Sequence, residues 1–159
     1  MKKPEANMVN QWGPSLAVLA LCLWMASNLP AIWVADVYAR GAGVLFLLWL
    51  LPLLYVVVKF LRLGAWRPDF LLLAFALVAC LVGVVGSLNI ARHFALGLAI
   101  GGQAPANFVK WIWLAGMLAW LPAMGWLAKD IPGNGWPLRC VVLIACMGLS
   151  LPWWKGVRA

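Results

Sequence analysis

The chain has 159 residues, of which 66% are hydrophobic and only 10% are charged. Soluble domains run at roughly 45–50% apolar and about 25% charged, so this composition excludes a water-soluble globule. The net charge of +8 is spread over isolated Lys and Arg residues at the ends of apolar runs. Without a basic stripe, it excludes nucleic acid as a partner and points to topology signals and anionic lipid headgroups.

Residues 6–35, 41–58, 70–91, 94–109, 111–128 and 140–154 contain no Asp, Glu, Lys, Arg or His. A run of about 20 apolar residues crosses the hydrocarbon of a bilayer. The apolar excess fills the whole chain, so residues 1–159 read as a single integral membrane domain. The expected fold is all-α, a polytopic transmembrane helical bundle.

The polar start, residues 1–13, has no convincing small-residue cleavage site, so the first apolar run reads as a retained span or signal anchor. Span 1 is expected at about residues 14–34 and span 2 at about 42–60. A basic loop with Lys59, Arg62 and Arg67 follows. Pro68 and Asp69 then open a helix, since Pro suits a first helical turn. Later spans are expected at about 108–128, flanked by Lys110 and Lys129, and at about 137–154.

Residues 70–107 admit two readings. One long helix plus a loop gives five spans. A tight hairpin turning at Gly86-Ser87-Leu88-Asn89 gives six, because Gly and Asn tolerate turn geometry. Charge favours six. Lys2, Lys3, Lys59, Arg62, Arg67, Lys110, Lys155 and Arg158 then lie inside, against Arg40, Arg92, Lys129 and Arg139 outside. The positive-inside rule therefore predicts both termini in the cytoplasm, as in a bacterial inner (plasma) membrane.

Trp33, Trp66, Trp111, Trp113, Trp126, Trp136, Trp153 and Trp154 fall near the expected span ends. Indole settles at the headgroup boundary, so they read as interfacial anchors. Pro52 and Pro122 fall inside spans and are expected to kink them. Gly97 and Gly101 form a small-xxx-small pair that lets another helix approach closely, either an internal neighbour or a partner protein.

Groups able to carry chemistry are few. The four acids, Glu5, Asp36, Asp69 and Asp130, lie near span ends or termini, which argues against ion coupling through a mid-membrane carboxylate. Cys22, Cys80, Cys140 and Cys146 have no CxxC spacing, and with a single histidine no metal-ligand pattern arises. Nucleotide loops and a nucleophile elbow are lacking too, so neither a cofactor nor a metal is expected. One constellation remains. In the hairpin, Cys80, Arg92 and His93 each sit about six residues from the turn, at similar depth, roughly 9 Å below it. Positive charge beside a thiol favours the thiolate, which makes these three the candidate catalytic residues. Cys80 in core packing, with Arg92 and His93 snorkelling to the interface, is the alternative.

The segment Trp33-Val34-Ala35-Asp36-Val37-Tyr38-Ala39-Arg40-Gly41, followed directly by a span, resembles an early Trp…Asp…Tyr-Ser-His-Gly segment of exosortases and archaeosortases. Ala39-Arg40 stands where that family has Ser-His. Asn89-Ile90-Ala91-Arg92 is similar to its Asn-x-x-Arg, and Ala79-Cys80 to the start of its Ala-Cys-Ser-Gly type motif. The resemblance covers the non-catalytic first half of that family and implies a relative of polytopic membrane cysteine transpeptidases. The residues themselves point first to a small membrane accessory protein or complex subunit, packed against a membrane-protein partner or against copies of itself. A small transporter or channel is the third reading.

Overall fold

The computed structural model describes residues 5–63 and 66–155, and every regular element among them is a helix. The all-α expectation therefore holds. Lys2, Lys3 and Arg158, counted above for orientation, lie outside the described residues, as do both chain ends.

Helix α1 spans Glu5–Met25, and after a turn at residues 26–28 α2 spans Leu29–Ala35 with Pro30 in its first turn. Gly41, at φ +80°, leads into α3, Ala42–Arg62. Only glycine holds that left-handed geometry without strain, and a Cβ at this position would stand 3.0 Å from the ring of Trp136. α3 runs unbroken through Pro52, and Lys59 and Arg62 in its last turn complement the helix dipole. Trp12–Ala35 and Ala42–Arg62 are the two segments among the described residues that are long and apolar enough to cross a membrane.

Asp69 caps α4, Phe70–Val85, by accepting the Leu72 amide. The chain then reverses through Gly86, Ser87 and Leu88 into α5, Asn89–Gly101. Ser87 takes a positive φ of 54°, and the Leu88 amide bonds the Gly83 carbonyl to close the turn. The hairpin reading is thus the geometry adopted, rather than one continuous helix. Its arms have 16 and 13 residues. At 1.5 Å per residue these reach about 24 Å and about 20 Å, against a hydrocarbon core of about 30 Å.

The expected span at 108–128 is not one helix. It consists of α6, Lys110–Ala115, a 3-10 turn at Gly116–Ala119, and α7, Pro122–Leu127. Pro122 does not kink a longer helix but starts a new one, with Leu121 extended before it. α8 spans Trp136–Leu149 and α9 Leu151–Lys155.

Two packed groups result. α1, α4 and α5 form one; α3, α6, the 3-10 turn, α8 and α9 form the other. α5 is the seam, since Gly97 lies under Met117 and Gly101 under Leu114. A Cβ on Gly97 would sit 2.7 Å from the Met117 sulfur. The glycine pair therefore packs inward, against the chain's own second group.

The tryptophans divide differently from the expectation. Trp113, Trp153 and Trp66 are buried, as are Trp49 and Trp120. Trp49 and Trp113 stack at 4.3 Å between centroids with a 7° interplanar angle. Each indole donates to the other's backbone carbonyl, at 2.9 and 2.8 Å. Indole has a large apolar body and one donor, and reciprocal pairing satisfies both donors without water. Trp111, Trp126 and Trp136 keep the exposed positions expected of anchors.

Candidate functional site

The turn end of the hairpin carries the three residues singled out for chemistry. Cys80 on α4 is buried and its thiol meets that of Cys22 on α1. Arg92 lies across Gly83, where a Cβ would come within 2.6 Å of the arginine Cγ, and its Nε donates to the Gly83 carbonyl at 3.0 Å. His93 is buried, with Nε2 3.1 Å from Asn28 Oδ1 in the α1–α2 turn. The hairpin thus gathers the trio at one end, but each member has its own partner. A cysteine nucleophile needs a base within hydrogen-bond reach. Here the imidazole is bonded to the Asn28 amide, and Cys80 and Cys22 are free, buried thiols. The Arg92 bond joins α5 to α4, and the His93 bond joins α5 to the α1–α2 turn.

The opposite end of the hairpin holds a polar knot. Lys110 is fully buried, and its Nζ lies 2.6 Å from Asp69 Oδ2. The same ammonium donates to the carbonyls of Ala104 at 3.0 Å and Gly101 at 3.3 Å. All three of its donors are therefore used. Asp69 divides its work: Oδ1 caps α4, Oδ2 takes the lysine, and its amide bonds the Gly102 carbonyl at 2.8 Å. Helix polarity reinforces the arrangement, with the anion at the start of α4 and the cation at the end of α5. Beside it, buried Gln103 donates through Nε2 to the carbonyls of Ser15 and Ala99, while its backbone carbonyl accepts the Trp66 indole at 2.8 Å.

Sequence reasoning placed a helix start at Pro68-Asp69 without assigning Asp69 the cap, and it read Lys110 as a charge flanking a span; the structure buries it. The same holds for Arg139, which is 2% exposed. Its guanidinium donates to the Ala119 carbonyl at 2.6 Å and the Tyr38 carbonyl at 3.1 Å. Gly125 sits so close to Tyr38 that a side chain there would strike the Tyr38 carbonyl. Arg139 thereby ties the loop after α2 to the 3-10 turn and α8. The signal available in the sequence was position alone, since both cations directly flank apolar runs.

The outward face of the hairpin is apolar. Between α4 and α5 lies a shallow groove of about 420 Å³, lined by Phe75, Val78, Ala79, Phe94, Leu98 and Trp111. Half-buried Ala79 forms its floor and exposed aromatic rings stand along it. Among the described residues no group of three or more His, Cys, Asp or Glu side chains could hold a metal ion.

Comparison with family models, with curated proteins and with solved structures found no match.

Proposed function

We propose that this protein is an accessory subunit of a membrane complex, packing through the outer face of the α4–α5 hairpin against a transmembrane helix of a partner protein. The groove lined by Phe75, Val78, Ala79, Phe94, Leu98 and Trp111 carries this reading. Lipid tails are as apolar as leucine, so helices associate in bilayers through close packing rather than through hydrophobic exclusion. A small floor residue between large side chains offers that packing. The polar groups around the hairpin support the same reading, because Lys110, Asp69, Arg92 and His93 are engaged in holding its frame. In this proposal the chain is integral to a plasma membrane of bacterial inner-membrane type, with both ends cytoplasmic, and the short helices complete six crossings within the bundle.

The test is co-purification in mild detergent with an Ala79→Trp variant. The floor of the groove would then be filled at a half-buried site. The expected result is a stoichiometric partner recovered with the wild type and lost with Ala79→Trp at unchanged membrane level. Recovery of copies of the same chain alone, or equal partner recovery with the variant, would reject the reading.

A further inference from the structure

A second groove lies on the other side of the molecule, where α1 and α3 splay apart. Its volume is about 420 Å³, and Leu16, Leu19 and Leu23 of α1 face Leu50, Leu54 and Val57 of α3 across it. Its dimensions suit a single hydrocarbon chain.

One end of this groove differs from the rest. Leu61, Trp66, Trp12 and Gln103 line it there. Gln103 is 8% exposed and its Oε1 has no hydrogen-bond partner; the buried indole nitrogen of Trp12 has none either. Trp12 and Trp66 pack at 4.7 Å between centroids. Buried acceptors and donors left unpaired are costly, and a ligand at this end of the groove would pair both. The flanking positions are basic. Lys59 and Arg62 occupy the last turn of α3 beside Leu61, and Arg67 follows Trp66 directly. Arg62 and Arg67 are exposed, and no described carboxylate pairs with any of the three, the described ion pair being Asp69–Lys110.

We infer that the α1–α3 groove is a binding site for one acyl chain of an anionic membrane phospholipid. The phosphate-bearing head sits among Lys59, Arg62 and Arg67, a headgroup hydroxyl donates to Gln103 Oε1, and an ester carbonyl accepts the Trp12 indole N–H. The occupant is chosen by charge complementarity at one end and by the narrow apolar trough along the rest. A basic residue near an anionic lipid surface contributes about 1 kcal/mol, close to a fivefold preference. Three together give a preference for an anionic over a zwitterionic head of about a hundredfold. The inference requires the chain to lie in a bilayer and is independent of the partner proposed for the hairpin face.

Native mass spectrometry of the detergent-purified full chain tests it, with phosphatidylglycerol and phosphatidylcholine of equal chain length offered in competition. One phosphatidylglycerol per chain is expected to be retained, in large excess over phosphatidylcholine. Arg62→Gln, at an exposed position, should lower that excess about fivefold. Leu54→Trp, on the half-exposed wall of the trough, should remove retention of both lipids while the far-ultraviolet circular dichroism stays that of the wild type. Equal retention of the two lipids would overturn the inference. So would undiminished retention by folded Leu54→Trp, or displacement of the phospholipid by a peptide helix.

Discussion

The two packed groups solve the same problem with opposite materials. In the group of α1, α4 and α5, small residues hold many of the inner positions: Cys22, Ala76, Cys80, Gly83, Ala95 and Ala99 are all buried. Backbones approach closely there, and polar bonds from Asp69, Lys110, Gln103, Arg92 and His93 fix the register. In the group of α3, α6, the 3-10 turn and α8, the centre is a tryptophan cluster of Trp49, Trp113 and Trp120, with Phe46 and Trp33 around it. Straight helices with complementary small faces can pack backbone to backbone. A segment broken at Gly116–Ala119 and again at Leu121 cannot, so large rings fill the space that its irregular backbone leaves. The indole N–H groups also substitute for missing regularity, since Trp33 donates to the Trp120 carbonyl and Trp49 to that of Trp113. In an apolar surrounding, carbonyls freed by a broken helix need such donors.

The sharpest way to break the first group is to remove one half of its ion pair. Lys110→Met leaves Asp69 buried and uncompensated, a loss of about 3–5 kcal/mol. The expected outcome is a large drop in thermal midpoint in detergent and in membrane level. Replacing both partners, with Asp69→Asn beside Lys110→Met, should recover much of that loss, because the desolvation of two charges is then removed. If the double variant is no better than the single one, the pair is not an isolated electrostatic unit.

The second group is broken by taking away a ring. Trp113→Ala empties the centre of the cluster and leaves the Trp49 carbonyl without its donor; large-to-small changes at such sites cost about 3–5 kcal/mol. Trp113→Phe keeps most of the packing and removes the donor, for about 1–3 kcal/mol. The same melts distinguish the contributions of packing and hydrogen bonding.

The seam is tested by adding volume. Gly97→Leu must displace Met117 and press on Trp120, and over-packing of this kind costs about 1–3 kcal/mol. Gly148→Leu is the control, since a Cβ there meets nothing within 4 Å. It should change stability by no more than about 0.5 kcal/mol. The smallest effect is expected at the hairpin thiols. Cys80→Ala removes one sulfur from a contact with Cys22 and should leave membrane level and partner recovery unchanged. A loss of partner recovery with the chain still at normal level would give Cys80 a role beyond packing.

Local signals in the sequence reached a long way. Apolar run lengths established the helical character and the two long helices, because each depends on composition within a single segment. Gly86 and Asn89 marked the reversal, and Pro68-Asp69 marked a helix start, because turn and cap chemistry act over three or four residues. What the sequence left open was decided by pairing across the chain. Lys110 meets Asp69 from 41 positions away, and Trp49 and Trp113 exchange hydrogen bonds from 64 away. A lysine beside an apolar run and a tryptophan near its end look the same whether they face headgroups or the interior. Only the packing of neighbouring helices determines which of them finds a buried acceptor, and in an apolar medium that acceptor is what makes burial tolerable.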